Sequence, residues 1–383
     1  MKVVGLLVLL YYLQVIVFKD TEFVDFTNAF FMVDKMEELP FCAGIGIPSP
    51  VLFILCSINV SLLLNKKKYG MAFTAFRGMK PFPQLMFSLF VMVASLLVFL
   101  ILSMILAIPF YGIEGLMGSM SDTGMTAPES LGVLKYFQVV QSIGLFVVPP
   151  FVIAWLYHGN IGEYLMLDKT TSFPNYLYAT LVVLLLIPLI NFIGEINSQM
   201  KLPESFSGIE SWMKTMEESA ELLVKKFMKV EHISGLLFNI FMIAILPALG
   251  EELMFRGVIQ RIFSGWTKNY HWGIWITAFL FSAMHMQFYG FLPRMALGAM
   301  FGYLLVWTGT MWVPILAHFV NNAMGVLGYF LINKKVISGD IEEWGTGSEQ
   351  IPLLLFSIGS VGLLLFLIYR NEQAKTKMPV NQE

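Results

Sequence analysis

The sequence is organised around one charged stretch, Gly250-Glu251-Glu252-Leu253-Met254-Phe255-Arg256-Gly257, which follows an apolar run at residues 237–249. That run is typical of a membrane-spanning helix. Two carboxylates and a guanidinium therefore stand where the chain should be apolar. An ionisable side chain inside a membrane span is unfavourable, and by default it marks a functional site with a partner. We expect the rest of the chain to supply the partners of these three groups.

Composition places the chain among membrane proteins. Of its 383 residues, 57% are hydrophobic and 13% are charged, and the mean hydropathy is +0.72. A soluble domain carries about 25% charged residues. The sequence therefore predicts an all-α polytopic membrane protein. The net charge of −2 gives no sign of a nucleic-acid partner. The two cysteines, Cys42 and Cys56, are too few for a disulfide framework or a thiolate metal site.

Hydrophobic segments predict a bundle of about nine or ten transmembrane helices. The predicted spans are residues 3–18, 45–64, 84–110, 131–157, 175–193, 232–263, 273–287, 293–307, 312–331 and 351–369. The first segment, residues 1–18, is either a span or a signal peptide. We favour an uncleaved span, because charged residues follow it instead of a small-residue cleavage site.

Charge in the loops predicts the orientation. Residues 66–80 contain five basic residues and no acidic residue, which indicates a cytoplasmic loop. Counting crossings from that loop places both termini in the cytoplasm, and the basic residues Arg370, Lys375 and Lys377 agree with a cytoplasmic C-terminal tail. We therefore expect a multi-pass integral protein of the cell (plasma) membrane, in contact with membrane lipid.

Residues 201–231 differ from their surroundings. Ser207 and Glu210 fit a helix-capping box, and apolar residues then recur at helical spacing between Lys and Glu. The pattern predicts an amphipathic helix on the membrane surface or on the bundle; a substrate-binding lid is the alternative. The predicted organisation is N-terminal transmembrane helices at 1–200, the amphipathic helix at 201–231, a catalytic helical core at 232–331, and a loop, last helix and tail at 332–383.

The charged stretch divides into a paired acid and a free acid. Glu252 and Arg256 are four residues apart with the acid first, which is the favourable order for an ion pair along a helix. Glu251 is rotated by about 100° and cannot share that pairing equally. A structural ion-pair cluster between helices is one interpretation of the stretch. The other is that Glu251 is a general base, since an apolar setting suits a carboxylate to that role.

Candidate partners follow on two later segments. Phe281 and His285 share one face of a predicted span, as do His318 and Asn322. A single histidine in a bundle is more often a hydrogen-bonding residue than a catalyst. Gly309 is the expected turn before the helix that carries His318. Counted from the predicted turns at about 1.5 Å per residue, Glu251, His285, His318 and Asn322 lie at one depth, in the inner half of the bilayer.

Together these groups suit hydrolysis. Glu251 would take a proton from water, His285 would orient that water, and His318 and Asn322 would donate hydrogen bonds to a tetrahedral intermediate. Alternatively, Glu251, His285 and His318 would hold a divalent metal such as zinc with one open position. The sequence lacks the His-Glu-x-x-His of zincins and the Gly-x-Ser-x-Gly of serine hydrolases.

Three motifs in order, Glu251-Glu252-x-x-x-Arg256, Phe281-x-x-x-His285 and His318-x-x-x-Asn322, resemble those of the CPBP family. This family comprises the type II CAAX prenyl endopeptidases and their bacteriocin-processing relatives, and is also called the abortive-infection family. The resemblance covers residues 232–331, about a quarter of the chain.

The resemblance implies an intramembrane endopeptidase with a cavity for a membrane-associated peptide or protein, which CAAX-type members receive in prenylated form. It also implies that Glu251 is the catalytic base, that Glu252 and Arg256 support it, and that His285, His318 and Asn322 complete the site. The family is often labelled a metalloprotease, but these residue types fit a metal-free glutamate mechanism equally. A non-catalytic scaffold or peptide immunity factor is the main alternative, and a proton-coupled transporter has less support.

Overall fold

The computed structural model describes residues 76–119, 130–337 and 345–377, and the longer regular elements in these ranges are all α-helical. The helices are α1 (Pro81–Ser119), α2 (Leu131–Tyr157), α3 (Ile161–Tyr164), α4 (Phe173–Ser198), α5 (Ser207–Met228), α6 (Ile233–Thr267), α7 (Tyr270–Ala283), α8 (Phe291–Thr308), α9 (Trp312–Asn333) and α10 (Ile351–Lys377).

Within these ranges, seven helices are long and apolar enough to cross a membrane, namely α1, α2, α4, α6, α8, α9 and α10. This confirms the predicted all-α polytopic membrane fold. The predicted spans at residues 3–18 and 45–64 lie outside the described residues.

The predicted span at residues 273–287 is wrong in its extent. Helix α7 has 14 residues and ends at Ala283. At about 1.5 Å per residue it is about 21 Å long, which is short for a hydrocarbon core of about 30 Å. A left-handed residue, Met286 (φ 54°), follows it. His285 therefore lies in a turn beyond the helix and not on the face of a span.

Two membrane helices contain wider, π-helical turns. These occur at Ile143–Val147 in α2 and at Ile240–Ile245 and Glu252–Ile259 in α6. Prolines come shortly after the first two, at Pro149, Pro150 and Pro247. Proline cannot donate the regular helical hydrogen bond and clashes with the preceding turn. The wider turns allow both helices to continue past these prolines.

Two apolar clusters flank the charged stretch. One joins α1, α2, α6 and α7 and includes Met92, Ile153, Phe255 and Phe281. The other joins α4, α8, α9 and α10 and includes Val182, Phe301, Ala317 and Ile368. The charged residues of α6 lie between these clusters, so rigid helices on both sides fix their positions.

A glycine brings α2 and α6 into close contact beside the charged stretch. A Cβ atom on Gly250 would lie 2.8 Å from the Cβ of Phe146 and 3.0 Å from a methyl carbon of Val147. Real Cβ atoms do not approach so closely in a packed core. Gly250 therefore sets the distance between the π-helical turn of α2 and the residue that precedes Glu251.

The amphipathic segment forms helix α5, but the predicted capping box is wrong. The helix is preceded by Phe206 and shows no side-chain cap, and Ser207 is already helical. Glu210 instead forms an ion pair with Lys214 at 3.1 Å, and the hydrogen bond from Lys214 lowers the pKa of the Glu210 carboxyl. At the other end of α5, Asn239 donates a hydrogen bond to the carbonyl of Phe227 at 2.7 Å and ties the helix to α6.

Candidate active site

The centre of the site is a buried network of Glu252, Arg256 and His318. The Oε1 atom of Glu252 accepts hydrogen bonds from Nη1 of Arg256 at 2.9 Å and from Nδ1 of His318 at 2.8 Å. Arg256 also donates from Nη2 to the carbonyl of Gly298 at 3.0 Å. Glu252 and Arg256 are 0% and 1% exposed. The ion pair expected from their spacing is present, and it extends to two further helices.

Aromatic rings enclose this network. The guanidinium carbon of Arg256 lies 4.6 Å from the ring centre of Phe281 and 5.5 Å from that of Phe301. The ring of His318 stacks on Phe301 with centres 5.2 Å apart and planes 20° apart. Such faces attract a desolvated cation. The rings also exclude water, so the hydrogen bonds inside the network are stronger than they would be at a surface.

Glu251 is placed differently from its neighbour. Its side chain is 13% exposed, and its Oε2 atom lies 3.9 Å from Nε2 of His318. Among the described residues, it has no ion pair with a lysine or arginine within 4.0 Å. The π-helical turn begins at the next residue, Glu252, and such turns are frequent at functional sites. The structure therefore has one acid fixed by Arg256 and one acid without that partner.

Both histidines use Nδ1 for a hydrogen bond within the protein. His318 uses Nδ1 to donate to Glu252, and His285 uses Nδ1 to donate to the carbonyl of Phe281 at 2.8 Å. In a neutral imidazole the other nitrogen, Nε2, is then an acceptor. His285 is exposed, so its Nε2 can accept a hydrogen bond from water. His318 can donate from Nε2 only when its ring is protonated, a condition that sequence reasoning did not reveal.

Asn322 lies one turn beyond His318 on α9. Its Nδ2 atom donates to the carbonyl of Ile243 at 3.1 Å, within a π-helical turn of α6, and its Oδ1 atom accepts from Asn321 at 3.1 Å. An amide has two N–H donors, so one is left after the bond to Ile243. The side chain both joins α9 to α6 and retains one donor.

The turn that carries His285 is held by side chains from two other helices. Asn197 at the end of α4 donates to the carbonyl of Phe288 at 2.9 Å and accepts from the backbone of Leu292 at 2.6 Å. Glu217 of α5 accepts from the backbone of Tyr289 at 3.0 Å. The amphipathic helix thus contacts the site turn directly. These contacts join residues 72 to 95 positions apart, so no local pattern could have indicated them.

Sequence reasoning also overlooked Arg294. This basic residue lies within the predicted span 293–307, and the rule that singled out Glu251 applies to it equally. In the structure it stands in the first turn of α8, where its backbone nitrogen donates to the carbonyl of Gly290 at 3.2 Å. Its side chain contacts Gln287 in the turn that carries His285.

The possible metal set of Glu251, His285 and His318 does not come together as a metal-holding group. In residues 76–119, 130–337 and 345–377, no three or more His, Cys, Asp or Glu side chains are arranged in that way. The Nε2 atoms are of the donor type that zinc takes, but their arrangement does not fit a three-residue ligand set.

Comparison with known proteins confirms the resemblance inferred from the motifs. Residues 233–324 match the family described as type II CAAX prenyl endopeptidase Rce1-like. All three motifs lie in this segment. The family that the three motifs resemble is therefore the same as the family that matches residues 233–324.

Two curated relatives match the same chain, and neither has an established function in its name. The uncharacterized protein YpbD of Bacillus subtilis (strain 168) is 31% identical over 90 residues, covering 22% of this chain and 43% of the relative. An uncharacterized 24.3 kDa protein of Escherichia coli is 28% identical over 121 residues, covering 30% and 54%. The matches thus span about half the length of each relative. No solved structure matches the chain.

Proposed function

We propose that this protein is an intramembrane endopeptidase that hydrolyses a peptide bond of a membrane-associated protein or peptide. The observation that carries the proposal is the pair of adjacent acids: Glu252 is fixed by Arg256 and His318, whereas Glu251 has no lysine or arginine within 4.0 Å in the part of the chain that the structure describes. The match of residues 233–324 to the prenyl endopeptidases supports peptide hydrolysis as the reaction. A prenylated, CAAX-like substrate is the first class to test.

The first step is the activation of water by Glu251. Its carboxylate takes one proton from water, and the resulting hydroxide attacks the carbonyl carbon of the scissile bond. The Nε2 atom of His285 accepts a hydrogen bond from the same water, because its Nδ1 atom is occupied by Phe281. This bond aims the water lone pair at the substrate carbonyl.

The second step is stabilisation of the oxyanion. The remaining N–H of Asn322 and the Nε2–H of protonated His318 donate to the new tetrahedral oxygen. The carboxylate of Glu252 accepts a hydrogen bond from Nδ1 at 2.8 Å and thereby fixes the orientation of the His318 ring. Arg256 holds Glu252 in place through its ion pair with Oε1 at 2.9 Å. Arg256 and Glu252 are therefore positioning residues.

The last step returns the proton. The C–N bond breaks as the tetrahedral intermediate collapses, and protonated Glu251 gives its proton to the departing nitrogen. The products are one peptide with a new carboxyl group and one with a new amine. Glu251 returns to its ionised form, so the cycle needs no co-reactant other than water.

Comparison of membrane peptides from cells that contain the wild-type protein or Glu251→Gln tests this proposal. The substrate should accumulate uncut in the variant, and its new termini should appear only with the wild type. The contrary outcome is a cellular phenotype that survives simultaneous Glu251→Ala and His285→Ala with identical peptide profiles. That outcome would indicate a scaffold or immunity factor that keeps the polar cluster for packing.

A further inference from the structure

The turn that carries His285 has an unfavourable backbone conformation. Met286, the next residue, is left-handed with a φ of 54°. A residue other than glycine adopts this conformation rarely, and keeps it only where its surroundings hold it there. The contacts that hold the turn therefore also decide where the ring of His285 lies.

Two membrane-spanning helices hold the residues that follow Met286. Arg294 of α8 donates to the side-chain oxygen of Gln287 at 2.6 Å. Asn197 of α4, which is 1% exposed, donates to the carbonyl of Phe288 at 2.9 Å. Helices α4 and α8 pack together in one apolar cluster. These two contacts are therefore fixed by the bundle itself.

The amphipathic helix α5 supplies the third contact. Glu217 accepts a hydrogen bond from the backbone nitrogen of Tyr289 at 3.0 Å. One turn earlier on the same face of α5, the amine of Lys214 lies 6.0 Å from the centre of the Tyr289 ring. Two side chains of α5 thus contact one residue of the turn, four positions after His285.

Helix α5 is attached to the bundle unevenly along its length. Its buried residues are Phe227 and Met228, at its C-terminal end. There the side chains of Asn239 and Asn333 donate to the carbonyls of Phe227 and Met228 at 2.7 Å and 3.1 Å. The rest of the helix is exposed or half-buried, and segments with few buried contacts open most easily. Glu217 thus holds the turn from a part of α5 that can move about a fixed end.

We propose that Glu217 is a positioning residue for His285, through which the amphipathic helix controls the site. The hydrogen bond from Tyr289 keeps the turn in its strained form, in which Nδ1 of His285 lies on the carbonyl of Phe281. A displacement of α5 would release the turn and move Nε2 of His285, the atom that orients water. The inference rests on the proposed peptidase function and adds a means of control to it.

Kinetics of three variants test this role. The assay uses purified protein in liposomes and a synthetic peptide that spans the cleavage site found by comparing membrane peptides. Glu217→Ala should lower kcat by about tenfold with less than about a twofold change in KM, because a displaced group slows the chemical step. Glu217→Gln should keep at least about half of the wild-type kcat, because its amide oxygen still accepts from Tyr289. The matched control is Glu218→Ala, which removes the neighbouring, exposed acid of α5 and should behave like the wild type.

A spectroscopic measurement tests the same role without a substrate. In protein with isotope-labelled histidine, the bond from Nδ1 to Phe281 gives His285 the separate nitrogen shifts of one neutral tautomer. Glu217→Ala should move these shifts toward the average of the two tautomers. Glu217→Gln and Glu218→Ala should leave the shifts in place. A His285→Gln protein assigns the signals.

The outcomes separate this inference from the proposed function. Unchanged His285 shifts in Glu217→Ala overturn the inference whether or not the protein cleaves a peptide, and so does an unchanged kcat in that variant. An equal loss of kcat in Glu217→Ala and Glu217→Gln, or a similar loss in Glu218→Ala, also overturns it, because the hydrogen bond to Tyr289 would not be the cause. Altered shifts in Glu217→Ala, together with a wild-type protein that cleaves no membrane peptide, uphold the link from α5 to His285 and refute the peptidase function.

Discussion

Replacement of Arg256 by methionine should destabilise the protein strongly. The change removes the ion pair to Glu252, the hydrogen bond to the carbonyl of Gly298 and the contacts with two aromatic rings. It leaves the carboxylate of Glu252 at 0% exposure with His318 as its remaining hydrogen-bond partner. Removal of one partner of a buried pair costs about 3–5 kcal/mol. We expect a loss of that size in the free energy of unfolding.

The chain contains a matched control for this loss. Glu221 and Lys225 on α5 have the same residue order and spacing and form an ion pair at 2.5 Å, but their side chains are 57% and 54% exposed. Lys225→Met should leave stability unchanged within error, because exposed pairs are screened by water. Unfolding followed by circular dichroism in mixed detergent micelles measures both variants under the same conditions.

A double variant tests the reason for the loss. In Glu252→Gln with Arg256→Met, the buried charge is gone while the side chain at 252 still offers an oxygen to His318. The double variant should be more stable than Arg256→Met alone by at least about 1 kcal/mol, because no unpaired carboxylate remains. The reasoning fails if Arg256→Met costs less than about 1 kcal/mol, or if neutralising Glu252 adds to the loss.

Three other outcomes follow from the packing and the chemistry. Gly250→Ala should lower the free energy of unfolding by about 1–3 kcal/mol, because the added Cβ would press on Phe146. Gly265→Ala on the same helix, where an added Cβ meets nothing within 4 Å, should raise the free energy of unfolding by about 0.5–1 kcal/mol. Equal changes in the two variants would contradict the close contact at Gly250. Asn197→Leu should lower kcat by about tenfold or more with a smaller effect on KM, because it releases the turn that carries His285. Steady-state kinetics of the purified variant measure this effect, and an unchanged kcat would contradict the role of Asn197. Activity of the purified protein should persist after dialysis against a strong chelator, with metal content measured before and after; loss of activity that zinc alone restores would refute the side-chain mechanism.

Local spacing predicted the parts of the site that lie within one helix. The four-residue interval between Glu252 and Arg256 gives their ion pair, and the left-handed Gly309 (φ 64°) ends α8 where a turn was expected. The segments that carry His318 and Asn322 form one continuous helix, α9. These features depend on helical periodicity, which sequence alone determines.

The features that sequence reasoning missed depend on contacts between distant segments. The bond from His318 to Glu252 joins residues 66 positions apart and determines that Nε2 is the ring nitrogen nearer to Glu251. The short length of α7 was missed because its apolar run continues past Ala283, while the polar contacts of Asn197 hold the following residues in a turn. Tertiary hydrogen bonds here override the hydrophobic pattern.

The turnover of Glu251→Gln measures whether Glu251 activates water. Glutamine keeps the size and shape of the side chain and cannot take a proton, so the variant should fold with an unchanged thermal midpoint. On the substrate identified by the comparison of membrane peptides, kcat should fall by at least about 100-fold, the contribution of a positioned general base. Normal cleavage by a folded Glu251→Gln protein would contradict the account.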